Sequence, residues 1–239
     1  MSHTLRNAYW HFPPPKKENS FSQSRKQLRH TGESKHMTAQ TQQAPTREAI
    51  IRLGERNGVE LAVMPRVEKS AGDVILAPDS LALIDGVRIE ALRVYPDDRG
   101  YFTELARLGS AGLAEKMLPG GQARIQISAT LTYPGTIKAI HYHYEQTDLW
   151  LPISGMLQVF LCDLRRTSPT FGKLNTVFAG TLRPWAVLIP PGVAHGYKVI
   201  GVEPAMLVYL TNRFYNPSDE GRLPYDHPGI AYDWETQHK

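Results

Sequence analysis

From Gly86 onward, apolar and polar residues alternate with a period of two, which is the pattern of β-strands with one buried face. The segment GVRIEALRVY shows this alternation first. Gly, Pro or Asp separates most of the short runs that follow, and so many short strands predict a sandwich or barrel rather than α/β units. The later strands are expected at about 123–132, 136–142, 149–153, 156–164, 174–181, 185–190, 195–201 and 204–211.

The chain before Gly86 has a different character. Residues 1–45 are rich in Ser, Gln, His, Lys and Pro and show no periodicity, which predicts a disordered tail. Residues 46–85 are interpreted as an N-terminal arm, with a short helix from Glu48 to Leu53 that ends at Asn57-Gly58. Residues 86–239 form the predicted β domain, whose one helix is expected at about 111–117 with Ser110 as N-cap.

The charge of the chain is unevenly distributed. The net charge is +4, but residues 1–47 hold eight Lys and Arg against two acidic residues. The remainder therefore carries −2, which argues against a nucleic-acid partner because such a domain carries a basic face. The single cysteine, Cys162, suits a reducing compartment. No apolar run approaches the ~20 residues of a membrane span, and no apolar signal core is apparent, so we expect a cytoplasmic protein without membrane contact.

Candidate chemistry concentrates in the stretches 135–155, GTIKAIHYHYEQTDLWLPISG, and 190–195, PPGVAH. His141 and His143 are two residues apart, so a β-strand points both rings to the same face. A turn at Pro-Pro-Gly then delivers a third histidine onto another strand. We expect three histidines and a carboxylate to converge inside one barrel: His141, His143, Asp148 and His195.

These motifs resemble two sets of known patterns. The spacings G-x5-H-x-H-x4-D-x6-G and P-x-G-x2-H resemble the two motifs of the cupin superfamily. More specifically, residues 86–234 resemble the dTDP-4-dehydrorhamnose 3,5-epimerase family, a cupin branch. The matching stretches are DDRGYFTE (97–104), GTIKAIHY (135–142), DLRRTSPTFGK (163–173), IPPGVAHGY (189–197), YNPSDEG (215–221) and YDHPGIAYDW (225–234).

The resemblance implies an all-β jelly roll, or double-stranded β-helix, that forms a homodimer and acts without a cofactor. Its implied substrate is a dTDP-linked 4-keto-6-deoxy sugar, from which an isomerase of this family removes a proton next to the ketone. The resemblance makes His141 the base and Tyr215 the opposing acid. The residues implied to bind the substrate are Arg99, Phe102, Glu104, Gln126, Lys138 and His195.

Three positions differ from the family pattern: at one of them Lys138 replaces an Arg, and the other two keep alternatives open. Asp148 stands where the family has an enolate-stabilising Lys, and His143 stands where it usually has Gln. One alternative is a metal-dependent cupin enzyme, an oxygenase or isomerase, in which His141, His143, Asp148 and His195 bind Fe, Mn, Ni or Zn. The two interpretations compete for His141, because a ligating imidazole has no free lone pair to act as base. A non-catalytic sugar-nucleotide binder is the other alternative.

Overall fold

The computed structural model describes residues 50–108, 112–116 and 124–235. The tail predicted at 1–45 lies outside these residues. The strands are β1 Ile51–Arg56, β2 Val59–Val63, β3 Asp73–Ile75, β4 Arg88–Ala91, β5 Val94–Asp97, β6 Gly100–Thr103, β7 Gln126–Thr132, β8 Ile137–His143, β9 Asp148–Ser154, β10 Met156–Asp163, β11 Leu174–Gly180, β12 Trp185–Ile189, β13 Val193–Ile200, β14 Ala205–Thr211 and β15 Glu220–Arg222.

Two sheets make up the body of the fold. One has six strands in the order β15-β8-β13-β10-β11-β3, and the other has five in the order β4-β12-β9-β14-β7. All neighbours in the two sheets are antiparallel except β3, which runs parallel to β11. Short turns pass the chain repeatedly from one sheet to the other, as in a jelly roll. The all-β prediction is confirmed.

The main core lies between the two sheets and follows the alternation in the sequence. Along β12, Trp185, Val187 and Ile189 point into this core. The intervening Ala186 and Leu188 face the opposite side. Both faces of β12 are buried, which explains why WAVLI reads as a continuous apolar run.

Additional layers cover the outer faces of the sheets. Tyr232 and Trp234, near the C-terminus, pack on Phe160 of β10 with ring centroids 4.7 and 5.7 Å away. The other sheet is covered in part by a one-turn helix, α1 Leu113–Lys116. The helix predicted at about 111–117 is present over Leu113–Lys116, while both ends of the predicted range and the proposed N-cap Ser110 lie outside the described residues. No helix in the described part of the chain is long and apolar enough to cross a membrane.

The prediction of a helix from Glu48 to Leu53 was wrong. The described part of this segment enters β1, which forms an antiparallel hairpin with β2. Asn57 and Gly58 have φ values of 50° and 75°, the left-handed conformation that a two-residue hairpin turn requires. Asn-Gly between two strand-forming runs is therefore a hairpin turn here and not a helix end. The arm 46–85 also supplies β3 to the six-stranded sheet, and its boundary as a domain stays a prediction.

The loop between β10 and β11 is organised around one buried carboxylate. Asp163 accepts hydrogen bonds from Nε and Nη2 of Arg165, both at 2.8 Å, and from the hydroxyls of Ser168 and Thr170 at 2.5 and 2.6 Å. Burial alone would raise the pKa of Asp163, but these donors hold it below its ordinary value of 3.8. The hydrogen bonds of this loop thus account for the Asp, Arg, Ser and Thr residues of the stretch DLRRTSPTFG.

We expect Asp163→Ala to lower the free energy of unfolding by ~3–5 kcal/mol, because it leaves the largely buried Arg165 without its partner. The wild-type contribution is complete above pH 3.8 and is lost as the pH falls through the lower folded pKa, so the difference between the two proteins shrinks in acid. Denaturant unfolding measures both effects. Asp73→Ala breaks the ion pair between the exposed Asp73 and the partly buried Lys173 and should cost at most ~1 kcal/mol. Equal losses in the two variants would contradict the role of Asp163 as the centre of its loop.

Candidate functional site

The three histidines lie on the wall of a cleft of about 300 Å³. Strands from both sheets line it, and most of the residues singled out in the sequence meet there. The predicted residues on its wall are Gln126, Lys138, His141, His143, Asp148, His195 and Tyr215. The structure adds residues to which sequence reasoning gave no role in the site, and those with polar side chains include Gln146, Tyr197, Tyr209, Thr211, Glu220 and Arg222.

The pairing of β8 with β13 brings the histidines together. His141 lies opposite His195 in this antiparallel ladder, and their ring centroids are 6.4 Å apart. His143, two residues along β8, stacks on His195 with centroids 5.5 Å apart. The register shifts just after His195, where a Cβ on Gly196 would come within 2.4 Å of the Ala139 side chain. Gly196 therefore allows the close approach of the two strands.

Asp148 begins β9 and reaches the same group of rings. Its Oδ1 accepts a hydrogen bond from Nε2 of Gln146 at 2.7 Å, and its Oδ2 accepts one from the indole of Trp150 at 3.2 Å. Oδ2 also lies 3.6 Å from Nε2 of His195. The other ring nitrogen of His195, Nδ1, donates to the Val193 carbonyl at 3.0 Å, which sets its tautomer.

Burial governs the protonation of the histidines. It lowers the pKa of His141 to about 4, with a further lowering from His195 that outweighs the opposing charge of Glu220. Burial likewise lowers the pKa of His195, against the charge of Asp148. Both rings are therefore neutral at pH 7. A neutral His141 has a lone pair that accepts a proton, as a general base requires.

Three tyrosines line the cleft with His141, namely Tyr197, Tyr209 and Tyr215. The hydroxyl of Tyr197 is bound to that of Thr132 at 2.9 Å. Tyr209 is half-buried on β14, where it lies opposite Trp150 of β9. Tyr215 follows the strand in a loop and is 62% exposed, with its backbone N–H donating to Oε1 of Gln126 at 3.0 Å. The alternation of β14 was a signal for Tyr209, because Leu207, Tyr209 and Thr211 share one face.

Three of the predicted nucleotide-binding residues lie elsewhere in the chain. Arg99, Phe102 and Glu104 sit on or next to the hairpin of β5 and β6. Arg99 is exposed and pairs with Asp97 at 2.6 Å. Phe102 and Glu104 line a second cleft of about 420 Å³. The structure does not bring these three residues to the histidine cleft of their own chain.

A buried carboxylate outside the cleft holds the loop that carries Gln146. Asp219 precedes β15 and accepts the backbone N–H groups of Glu145 and Gln146 at 3.1 and 3.0 Å. Nη1 of Arg56, from the β1–β2 hairpin, lies 3.4 Å from the same carboxylate. Successive N–H groups converging on one carboxylate fix the backbone of this loop. Asp219 therefore positions Gln146 against Asp148 and His143.

We expect Asp219→Ala to loosen this loop, because the N–H groups of Glu145 and Gln146 lose their acceptor. Loss of a buried hydrogen bond costs ~1–3 kcal/mol, so hydrogen exchange at these two amides should quicken by ~10-fold or more. Amide exchange followed by mass spectrometry or NMR gives the rates. Ser218→Ala is the control, since that exposed hydroxyl bonds Asn216 within the same turn. If the two amides exchanged at the wild-type rate in Asp219→Ala, Asp219 would not be the residue that holds this loop.

Comparison with known proteins places these features in context. The family model described as dTDP-4-dehydrorhamnose 3,5-epimerase matches residues 82–239. The spore coat polysaccharide biosynthesis protein SpsL of Bacillus subtilis is 44% identical over 157 residues, which cover 65% of this chain and 99% of that protein. The probable low-salt glycan biosynthesis epimerase Agl13 of Haloferax volcanii is 35% identical, covering 64% of this chain and 96% of its own length.

Solved structures show the same fold. A dTDP sugar isomerase from Desulfovibrio desulfuricans G20 superposes with a TM-score of 0.57 at 28% identity, covering 67% of this chain and 94% of its own. A dTDP-6-deoxy-D-glucose-3,5-epimerase from Legionella pneumophila, in complex with dTDP-4-keto-L-rhamnose, superposes with a TM-score of 0.54 at 28% identity. That match covers 65% of this chain and 82% of the other.

Proposed function

This chain belongs to the dTDP-4-dehydrorhamnose 3,5-epimerase family, and from that premise we propose that it epimerises a dTDP-linked 4-keto-6-deoxy sugar. The observation that carries the proposal is His141, a neutral imidazole on the wall of the cleft. The ligand named in the Legionella pneumophila structure supports a sugar of this class as the substrate.

The proposed reaction begins with proton transfer to a ring nitrogen of His141. The C–H bond next to the C4 ketone breaks, its electron pair forms the enolate, and the imidazole becomes an imidazolium. A proton donated to the opposite face of the same carbon then re-forms the ketone with inverted configuration. These proton transfers use no redox or group-carrying cofactor.

We favour Tyr209 over Tyr215 as the proton donor. Both line the cleft, and the family motif points to Tyr215. Tyr209, however, is held on β14 between two hydrogen-bonded neighbouring strands, whereas Tyr215 lies in an exposed loop. A donor on a strand keeps its geometry more precisely than one on a loop. Tyr215 then contacts the substrate at the mouth of the cleft.

Binding of the nucleotide diphosphate is assigned to cationic and aromatic groups. Lys138 and Arg222 supply positive charge in the cleft itself. Arg99 and Phe102 lie on the exposed β5–β6 hairpin, away from that cleft. In the proposed homodimer, the hairpin of one subunit contacts the nucleotide in the cleft of the other. The exposed aromatic surface of this hairpin, 66% for Phe102, supports a role in subunit contact.

The proposed location of the protein is the cytoplasm. Cys162 supports it, because the only cysteine of the chain is free and buried and needs no oxidising compartment.

The reaction is tested by following deuterium from D₂O into the carbon next to the ketone. Wild-type protein should incorporate it, and His141→Gln should lower the rate by ~10²–10⁴-fold because the base is gone. NMR or mass spectrometry of the recovered sugar measures the incorporation. A non-catalytic binder would bind dTDP-sugar without exchange. A metal-dependent oxygenase would consume O₂ instead, and either result would overturn the proposal.

The same assay separates the two tyrosines. Tyr209→Phe should allow exchange while slowing the formation of epimer, because the base still removes the proton but none returns from the other face. The Tyr209→Phe replacement should slow epimer formation by ~10²-fold or more. Tyr215→Phe should mainly raise KM. The reverse pattern would assign the acid to Tyr215.

A further inference from the structure

We propose that the β1–β2 hairpin is a positioning element of the cleft, and that Arg56 at its tip is a positioning residue for the reaction. The hairpin lies before residue 82, where the match to the family model begins. Arg56 is not on the cleft wall itself. It acts through Asp219 and Gln146, and the part of the inference that concerns turnover rests on the proposed epimerisation.

The guanidinium of Arg56 joins two segments that contribute residues to the cleft. Its Nη2 donates to the Ser218 carbonyl at 2.7 Å, and its Nη1 donates to Oδ1 of Asp219 at 3.4 Å. The same group lies over the ring of Tyr144, with Cζ 5.1 Å from the ring centre, which is a cation–π contact. One side chain thus contacts both the loop between β8 and β9 and the turn that precedes β15.

The turn of the hairpin adds a second link. Nδ2 of Asn57 donates to Oε1 of Glu145 at 3.0 Å, and Oε2 of Glu145 lies 3.1 Å from Nη1 of Arg213. Arg213 is two residues before Tyr215, which lines the cleft. Through Glu145 the hairpin therefore reaches the segment that carries Tyr215.

Arg56 has the larger effect because Asp219 is buried. Asp219 is 4% exposed and accepts the backbone N–H groups of Tyr144, Glu145 and Gln146 at 3.0–3.2 Å. Among the residues that the structure describes, Arg56 is the one that forms an ion pair with this carboxylate. Removing the cation that pairs with a buried carboxylate leaves an uncompensated charge, which is strongly unfavourable. We therefore expect the loss of Arg56 to loosen the loop that Asp219 holds.

The side chain of Gln146 carries this effect to the histidines. Its Nε2 donates to Oδ1 of Asp148 at 2.7 Å and lies 3.3 Å from Nε2 of His143. A ring nitrogen that accepts an amide N–H is unprotonated, so the neutral His143 ring carries its proton on Nδ1. Asp148 and His143 both contact His195, which lies opposite the proposed base His141. The hairpin thereby sets the tautomer of His143 and the orientation of Asp148 next to the base.

The effect on the loop is measured without substrate. Arg56→Ala should quicken hydrogen exchange at the amides of Glu145 and Gln146 by ~10-fold or more, as expected for the loss of a buried hydrogen bond. Arg56→Lys keeps the charge beside Asp219 but lacks the second N–H group that reaches Ser218. Its exchange should therefore be faster than in the wild type and slower than in Arg56→Ala.

Arg52→Ala is the matched control on the same strand. Arg52 forms ion pairs with Glu55 and Glu60, both of which belong to the hairpin. Its loss should leave exchange in the loop between β8 and β9 at the wild-type rate. Circular dichroism and melting temperature verify that each variant is folded. Should Arg56→Ala fail to fold, faster exchange in Arg56→Lys than in Arg52→Ala provides the same test.

A positioning role also requires changes at His143 and in turnover, which a purely structural role would not produce. ¹⁵N NMR of the ring should find the proton on Nδ1 in the wild type and partly on Nε2 in Arg56→Ala, because the Gln146 amide is no longer held against Nε2. In the deuterium assay, Arg56→Ala should lower kcat by ~10–10²-fold through misplacement of the cleft residues. KM should change less, since Arg56 does not line the cleft.

The proposal is overturned if Arg56→Ala leaves exchange at both amides unchanged. It is also overturned if exchange quickens while the His143 tautomer and kcat keep their wild-type values. Equal exchange in Arg56→Ala and Arg56→Lys would show that the charge of residue 56 does not hold Asp219, with the same consequence. Wild-type protein that incorporates no deuterium counts against the epimerisation alone, because amide exchange and ring NMR need no substrate.

Discussion

The antiparallel pairing of β8 with β13 is the contact on which the candidate site depends. It sets His141 directly opposite His195, a residue 54 positions later in the chain. Because side chains alternate along a strand, the same pairing also turns His143 toward the cleft. A slip of β8 by one residue in this register would turn His141 and His143 to the opposite face of the sheet from His195. Gly196 protects the register, since a larger residue there would collide with Ala139.

Three buried aspartates show how the fold uses charge away from water. Asp163 is held by a guanidinium and two hydroxyls, and Asp219 by successive backbone N–H groups with an arginine beside them. Both satisfy their oxygens within the loops that they organise. Asp148 differs, because its donors are a side-chain amide and an indole, and its third neighbour is a histidine whose pKa burial lowers. It is the least compensated of the three carboxylates, and it faces the cleft. Asp148 is thus distinguished from the two aspartates that organise loops by the groups that surround it.

Local patterns predicted much of the fold. The runs at 149–153, 174–181 and 185–190 correspond to β9, β11 and β12 within one or two residues, because alternation and turn residues are local properties. The β1–β2 hairpin was misread as a helix although Asn57-Gly58 marked its turn. The spacing of His141 and His143 also predicted that both rings would share one face. Sequence spacing does not tell which strands are neighbours in a sheet. The position of Glu220 and Arg222 next to β8 therefore became known only from the observed pairing of β15 with β8.

The division between His141 and His143 follows from what each ring contacts. In the ladder of β15 with β8, Arg222 lies opposite His141 and Glu220 lies opposite His143. His143 also stacks on His195 and meets the Gln146 amide, which is bound in turn to Asp148. His141 instead meets His195 edge-on at a greater distance, without a carboxylate within ion-pair range in the described chain. Burial without a paired carboxylate lowers the pKa of His141 to about 4, so it stays neutral. One strand therefore carries two histidines, two residues apart, that differ in their neighbours.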